Sequence, residues 1–391
     1  VRLLLVGAEK RTGGGEVFLY HLARGLGRRP GFRVDALLPE GAEVAQRIRQ
    51  DPDCAPVRVF ASRRLVRFSD AGPRGFAASL VGGGREILET VRRERHGVVF
   101  FNGLGASAYG LLLRLCDRCR QVAVHHNIGS SATEAAYGRW LFAGHDLVCV
   151  SRAVAVAVAS PLNRRRLHLI PNGVPLGPPP PPGKLEGPGP LRVLAAGRIT
   201  RWKGLHVLLE ALDLLRARVA PDPLPVKVEV AGRAWTDEDR EYEAALHHTV
   251  ERTGLAGAVR FVGHGPLERR LERAHCLVHT AVKPEAFGLV VAEAMARGCL
   301  VVAADAGGVR EYVREGETGY LVRPGDAPAL ARRIEWLARH RTDPASRELA
   351  ERAWRTIAAD HSLDRQVDAY ARLLGGEGHA QTSGGAQNGR K

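Results

Sequence analysis

Two glutamates eight residues apart, Glu285 and Glu293, stand in and just beyond the segment Lys283-Pro284-Glu285-Ala286-Phe287-Gly288-Leu289, between an apolar run and a helical pattern. That spacing predicts both carboxylates on one side of a helix entrance, Glu285 in the loop and Glu293 two turns into the helix. Ionised carboxylates only accept hydrogen bonds, which suits ligands rich in hydroxyls such as sugars and ribose. A second set, Gly197-Arg198-Ile199-Thr200-Arg201-Trp202-Lys203-Gly204, follows another apolar run and precedes a helix starting near Leu205. Arg198 as a fork and Lys203 as a point charge could both reach a diphosphate at the end of that strand. Lysine is rare in this chain, and Lys203 and Lys283 both fall inside these segments. A third set, Gly13-Gly14-Gly15-Glu16, opens an amphipathic helix with apolar residues at Val17, Leu19, Leu22 and Leu26. Glycines there let backbone approach a ligand, and a helix N-terminus favours an anion.

The elements that must hold these residues alternate between β-branched apolar runs and helical patterns, which predicts an α/β protein with doubly wound parallel sheets. In the first half the expected strands are Arg2 to Val6, Val34 to Leu38, Val98 to Asn102, Gln121 to His125 and Asp146 to Ser151. In the second half they are Leu191 to Ala196, Val226 to Ala231, Val259 to Val262, Cys276 to His279, Leu300 to Ala303 and Gly319 to Val322. Runs that are apolar throughout are buried on both faces. The alternating stretch Ala153 to Ala159 reads as a small-residue helix, and Arg164-Arg165-Arg166 as a solvated turn. Proline and glycine crowd the stretch Gly177 to Pro190, which reads as an extended linker. The expected organisation is a domain over 1–177, a linker over 178–190, a second domain over 191–360, a helix over 361–374 packing back on the first domain, and a disordered tail over 375–391. Two such domains place a cleft between the carboxyl ends of their sheets, where folds of this kind bind ligands.

Taken in order, these segments resemble the retaining family 4 glycosyltransferases of the GT-B fold, over roughly residues 1 to 374. The resemblance is carried by Glu285 to Glu293, by Gly298 through Asp305-Ala306-Gly307-Gly308-Val309-Arg310-Glu311, by Gly316-Glu317-Thr318-Gly319, by Ile170-Pro171-Asn172-Gly173-Val174, by Gly197-Arg198 with Lys203-Gly204, and by Gly13-Gly14 with Glu16. It implies two Rossmann-like domains whose parallel sheets face each other, and transfer of a sugar, a hexose in the expected case, from a nucleotide diphosphate sugar to an acceptor hydroxyl. Arg198 and Lys203 would neutralise the departing diphosphate, Glu285 would hold hydroxyls of the sugar and Glu293 the ribose. Backbone amides at Phe287, Gly288 and Leu289 would touch sugar and phosphate, and Gly13 and Gly14 would close over the diphosphate from the first domain. A UDP-sugar is the expected donor. No metal and no resident cofactor are implied, because two cations and helix N-termini supply the charge that Mg²⁺ supplies elsewhere. The family also carries a histidine at the end of a first-domain strand near the sugar. Of the adjacent His125 and His126, the alternation of a strand lets one face a cleft, and His125 is favoured because it directly follows the apolar run. The chain departs from the family pattern at Ala286, where Gly is usual, near Ala281, where Ser is usual, and at Leu300 and Arg310, where Pro is usual.

The chain has 391 residues, 45% hydrophobic and 25% charged, which excludes a disordered or fibrous protein and predicts two domains. Its six cysteines are too sparse for a disulfide scaffold, so a reducing cytoplasm is expected. The pair Cys116 and Cys119 has metal-like spacing but no second pair to complete a zinc site. No run reaches the ~18 apolar residues of a membrane span, and a soluble protein is expected. Formal charge is +15, and residues 1–170 hold 26 Lys and Arg against 14 Asp and Glu, or +12 of it. That surplus suits an anionic acceptor or peripheral contact with an anionic membrane, although the Arg bias of a GC-rich genome would produce it too. The acceptor remains open among glycolipids, polysaccharides and small natural products. Rival readings are a GT-B-fold epimerase or phosphorylase and a non-catalytic polyanion-binding protein. Nucleic acid is not an expected partner, since aromatic residues make up only 6% of the chain.

Overall fold

A computed structural model describes residues 1–66, 68–116, 119–128, 145–161, 163–181 and 183–375. The chain divides into two units, one of residues 1–150, 154–172 and 363 onward, the other of residues 151–153 and 173–362.

The first unit is built on a seven-stranded sheet of order β3-β2-β1-β4-β5-β6-β7. Its strands are β1 (Arg2–Val6), β2 (Arg33–Pro39), β3 (Arg58–Ser62), β4 (Val98–Asn102), β5 (Arg120–His125), β6 (Asp146–Cys149) and β7 (Leu167–Leu169). Every pairing is parallel. Leu3, Leu4, Leu5, Phe100, Phe101 and Val124 are fully buried, as strands covered on both faces require. The sequence pattern did not announce β3 or β7. Both are short edge strands, and neither presents the continuous apolar run that marks a central strand. The helix Leu363–Gly375 packs on the first helix of this unit, Gly14–Gly27, where a Cβ on Gly25 would lie 2.3 Å from Val367. Tyr370 of that helix meets Phe18 and Phe100 edge-on, 5.5 and 5.7 Å between ring centres. Residues from 376 on, which carry the expected tail, lie outside the described residues.

The second unit carries a six-stranded parallel sheet of order β10-β9-β8-β11-β12-β13. Its strands are β8 (Leu191–Ala196), β9 (Val226–Ala231), β10 (Val259–Phe261), β11 (Cys276–His279), β12 (Leu300–Ala304) and β13 (Tyr320–Val322). The strand order reverses between β8 and β11, so helices leave to opposite faces and a crevice opens at the carboxyl ends of these two strands. Residues 173–190, which include the proline-rich stretch, belong to the second unit. Leu185 joins its core, Lys184 Nζ donates to the carbonyls of Leu271 and Glu272, and Arg341 donates to those of Gly187 and Gly189. Proline had removed backbone donors from this stretch, and side chains supply the missing tethers.

Five of the six cysteines are free thiols, four of them buried; the side chain of Cys116 lies outside the description. Among the described residues no helix is long and apolar enough to cross a membrane, and no three His, Cys, Asp or Glu side chains gather as a metal site.

Candidate functional site

At the carboxyl ends of β8 and β11 an open crevice is lined by Gly197, Arg198, Lys203, His279 and Thr280 among others. The turn after β8 brings Arg198 and Lys203 there. Lys203 closes a single 3-10 turn, Arg201–Lys203, which Gly204 terminates at φ +71° before the helix Leu205–Val219 begins. A Cβ on Gly204 would lie 2.0 Å from the carbonyl oxygen of Thr280, so only glycine allows this turn to approach β11. Two bonds fasten that approach: Thr280 Oγ1 donates to the Lys203 carbonyl at 3.0 Å, and Val282 N–H donates to that of Trp202 at 2.9 Å.

The consequence is a largely but not fully buried ion pair. Lys203 Nζ donates to Glu285 Oε1 at 2.5 Å, and His279 Nε2 bonds the same oxygen at 2.6 Å. Side chains of His279 and Glu285 are 5% and 10% exposed. Burial works to raise the Glu285 pKa, but the charges of Lys203 and His279 and their hydrogen bonds override it and hold this carboxyl well below the usual range. Glu285 is therefore an anion with Oε1 occupied and Oε2 left to accept from something else. Arg198 lies half-buried with its guanidinium 5.0 Å from the Trp235 ring centre. Neither His279 nor Trp235 was singled out by the sequence, since no local spacing ties them to the charged segments.

The loop carrying Glu285 is fixed from behind by the Gly307-Gly308 pair. Glu285 bridges to Gly307 as an isolated parallel pair, and Gly308 N–H donates to the Glu285 carbonyl at 2.8 Å. Cβ atoms on Gly307 and Gly308 would fall 2.1 Å from the carbonyl oxygens of Glu285 and Ala286 respectively. The Tyr312 hydroxyl, fully buried, lies 2.9 and 2.8 Å from the carbonyl oxygens of Phe287 and Gly288, which share its single proton. Burial first, then the charges of Glu285 and Glu293, push its pKa well above 10. Both carboxylates thus lie near one tyrosine, another residue the spacing did not reveal. The helix that follows is the seven-residue Leu289–Met295, so Glu293 sits little more than one turn in, not two. Gly288 is its N-cap, at φ +85°.

In the first unit the glycine-rich turn opens the helix Gly14–Gly27, and Gly13 N–H donates to Glu16 Oε2 at 3.0 Å. Asn102, at the end of β4, donates from Nδ2 to the Gly15 carbonyl at 3.0 Å and takes His126 Nε2 on Oδ1 at 2.9 Å. His126 also meets Phe18 edge-on at 4.8 Å. The histidine beside the glycine turn is thus His126, whereas His125, favoured from sequence, is a buried residue closing β5. The strand's alternation turns its last residue into the packed interior and the next one toward the glycine turn. Burial, then the neighbouring His125, push the His126 pKa down. Part of the first half's basic surplus lies in residues 63–74, where Arg63, Arg64 and Arg74 are exposed and Arg63 pairs with Glu40 at 2.8 Å; the side chains of Arg67 and Phe68 lie outside the described residues.

Two Rossmann-like units, each built on a parallel sheet, are the architecture of the GT-B class. Residues 12–177 match the family described as Glycosyltransferase Family 4, and residues 183–355 match that described as glycosyl transferases group 1. The lipopolysaccharide core biosynthesis mannosyltransferase LpcC of Rhizobium leguminosarum bv. viciae is 30% identical over 281 residues, 68% of this chain and 76% of that protein. The lipopolysaccharide core biosynthesis glycosyltransferase LpsE of Rhizobium meliloti is 32% identical over 183 residues, and the aligned part spans about half of that protein, 49%. Among solved structures, Anabaena HepE in complex with UDP-glucose superposes with a TM-score of 0.77 at 23% identity, covering 96% of this chain and 99% of that one. The chain belongs to this family of glycosyltransferases.

Proposed function

We propose that the protein is a retaining glycosyltransferase that moves a hexose from a nucleotide diphosphate sugar to an acceptor hydroxyl, without a metal ion. The observation that carries this reading is the part-buried Lys203–Glu285 pair with Arg198 beside it at the ends of β8 and β11: cations for a diphosphate, next to a fixed anion for hydroxyls. Arg198 and Lys203 hold the diphosphate, Glu285 accepts from the sugar, and Glu293 accepts from the ribose. Amides at Phe287, Gly288 and Leu289 meet sugar and phosphate. In the first unit Gly13 and Gly14 keep the backbone role that the family resemblance implies, and His126 replaces His125 as the histidine for the sugar.

Retention follows by front-face attack. The acceptor oxygen bonds to the anomeric carbon as the bond from that carbon to the diphosphate oxygen breaks, and the departing oxygen takes the hydroxyl proton. Glu285 is no nucleophile in this scheme, since Lys203 and His279 hold its Oε1 and its Oε2 accepts from the sugar hydroxyls. Binding of UDP-glucose by the Anabaena structure supports a UDP-sugar donor. The lipopolysaccharide core names of the Rhizobium relatives support a glycolipid acceptor, which the +12 surplus of residues 1–170 also suits. A panel of nucleotide sugars, screened for slow hydrolysis and for thermal stabilisation, tests the reading. One UDP-sugar should stand out in both measurements; a panel with no response in either sinks it.

A further inference from the structure

We propose that His279 is a positioning residue that holds Glu285 in place while Lys203 is drawn from that carboxylate to the donor's phosphates. The inference rests on the donor-site reading above and concerns a residue that reading leaves without a part.

Glu285 Oε1 receives two donors of different kinds. Lys203 reaches it from a single 3-10 turn through a four-carbon stem, with its ammonium 4.5 Å from the Trp202 ring centre. Such a side chain is a mobile point charge, free to follow a stronger anion. A diphosphate at the pocket is that anion, and whatever it draws from Lys203 it takes from Glu285. His279 is different in origin, being the last residue of β11, whose ladder pairs it with Ala303 of β12. Its ring has two torsions, is 5% exposed on the side chain, and brings Nε2 to 2.6 Å from Oε1. Nδ1 is buried without a hydrogen-bond partner, so the ring has one polar engagement, the bond to Glu285. A carboxylate that lost Lys203 with no second donor would be a buried anion free to rotate, and the Oε2 aimed at the sugar would lose its direction. With His279 in place the exchange of Lys203 leaves Oε1 anchored to the sheet.

Two amide substitutions separate this role from simple packing. Glutamine can place its amide nitrogen near the Nε2 position, whereas asparagine ends near Nδ1 and cannot reach Glu285. His279→Asn should lower kcat for UDP-glucose hydrolysis about ten- to a hundredfold, the scale expected for losing one charge-assisted buried bond. KM for UDP-glucose and Kd for UDP should stay within about threefold, since the phosphate contacts remain. His279→Gln should recover most of the loss, with melting temperatures of the two variants close to each other. Wild-type kcat in His279→Asn, or equal losses in both variants that track a fall in melting temperature, overturns the proposal. Glu285→Gln is the reference. If it turns over UDP-glucose like wild type, or if the wild type neither binds UDP nor hydrolyses UDP-glucose, the donor-site reading itself has failed and this one with it. A Glu285→Gln defect without any His279→Asn defect removes only the role of His279.

Discussion

Lys203 and Arg198 bear the charge of a leaving group in the reading proposed, and single donors of that kind contribute about 2.7–4 kcal/mol to a transition state in a water-poor site. Alanine at either position should therefore lower turnover by roughly 100-fold or more, with circular dichroism and melting temperature reporting an intact fold; wild-type turnover in both variants would remove the assignment. The two glutamates should separate. Glu293→Ala should weaken UDP binding measured by calorimetry. Glu285→Ala should leave that binding intact or tighten it while transfer falls, because Lys203 is released from its 2.5 Å pair and becomes fully available to phosphate. Equal loss of UDP affinity in both variants would void the division of roles.

At the scale of elements, the turn after β8 depends on one backbone conformation. Gly204→Ala adds a side chain at φ +71°, itself unfavourable by about 1–2 kcal/mol, and pushes a Cβ to 2.0 Å from the Thr280 carbonyl, so β11 or the turn must move. A clear drop in melting temperature together with loss of turnover is expected, while Gly257→Ala, with nothing within 4 Å of its Cβ, should change neither. A second element-level contact sits between β5 and β6, where Arg120 Nε donates to Asp146 Oδ2 at 2.7 Å. Burial works to raise the Asp146 pKa, but His168 and Arg120 outweigh it and bring it from the ordinary 3.8 to about 2. A depressed folded-state pKa stabilises the protein above the unfolded value and is lost as pH falls through the folded one. The stability gap between wild type and Asp146→Asn, measured by urea melts, should be full above pH 4 and close as pH approaches 2. A gap that stays constant over that interval would show the carboxylate is not what matters there.

For the whole molecule the uneven charge is the feature with consequences. Residues 1–170 carry +12, and each basic residue near an anionic surface contributes about 1 kcal/mol, screened over ~8 Å at physiological salt. A glycolipid acceptor in an anionic membrane predicts sedimentation with anionic vesicles at low salt and release at high salt. Substituting Arg64 and Arg74 should weaken it more than substituting Arg63, whose charge Glu40 already partners. Protein that stays in the supernatant at low salt points to a soluble acceptor.

The strands Arg2–Val6, Val98–Asn102, Leu191–Ala196 and Cys276–His279 were legible at their observed limits because strands buried on both faces carry mostly apolar runs. The glycine turns and the Glu285 to Glu293 spacing were legible for a similar reason: backbone conformation and helix period are local and leave a local signature. Edge strands Arg58–Ser62 and Leu167–Leu169 bury too little to leave one. The sequence by itself thus determined the α/β class, the family pattern and the segments that carry charge. Only the tertiary structure decided that Lys203, 82 positions from Glu285 in the chain, shares one oxygen of that carboxylate with His279, and that His126 rather than His125 meets the glycine turn. The order of strands in a sheet, which sets β8 beside β11 across two intervening strands of sequence, is fixed by the packing of whole elements, and no spacing along the chain records it.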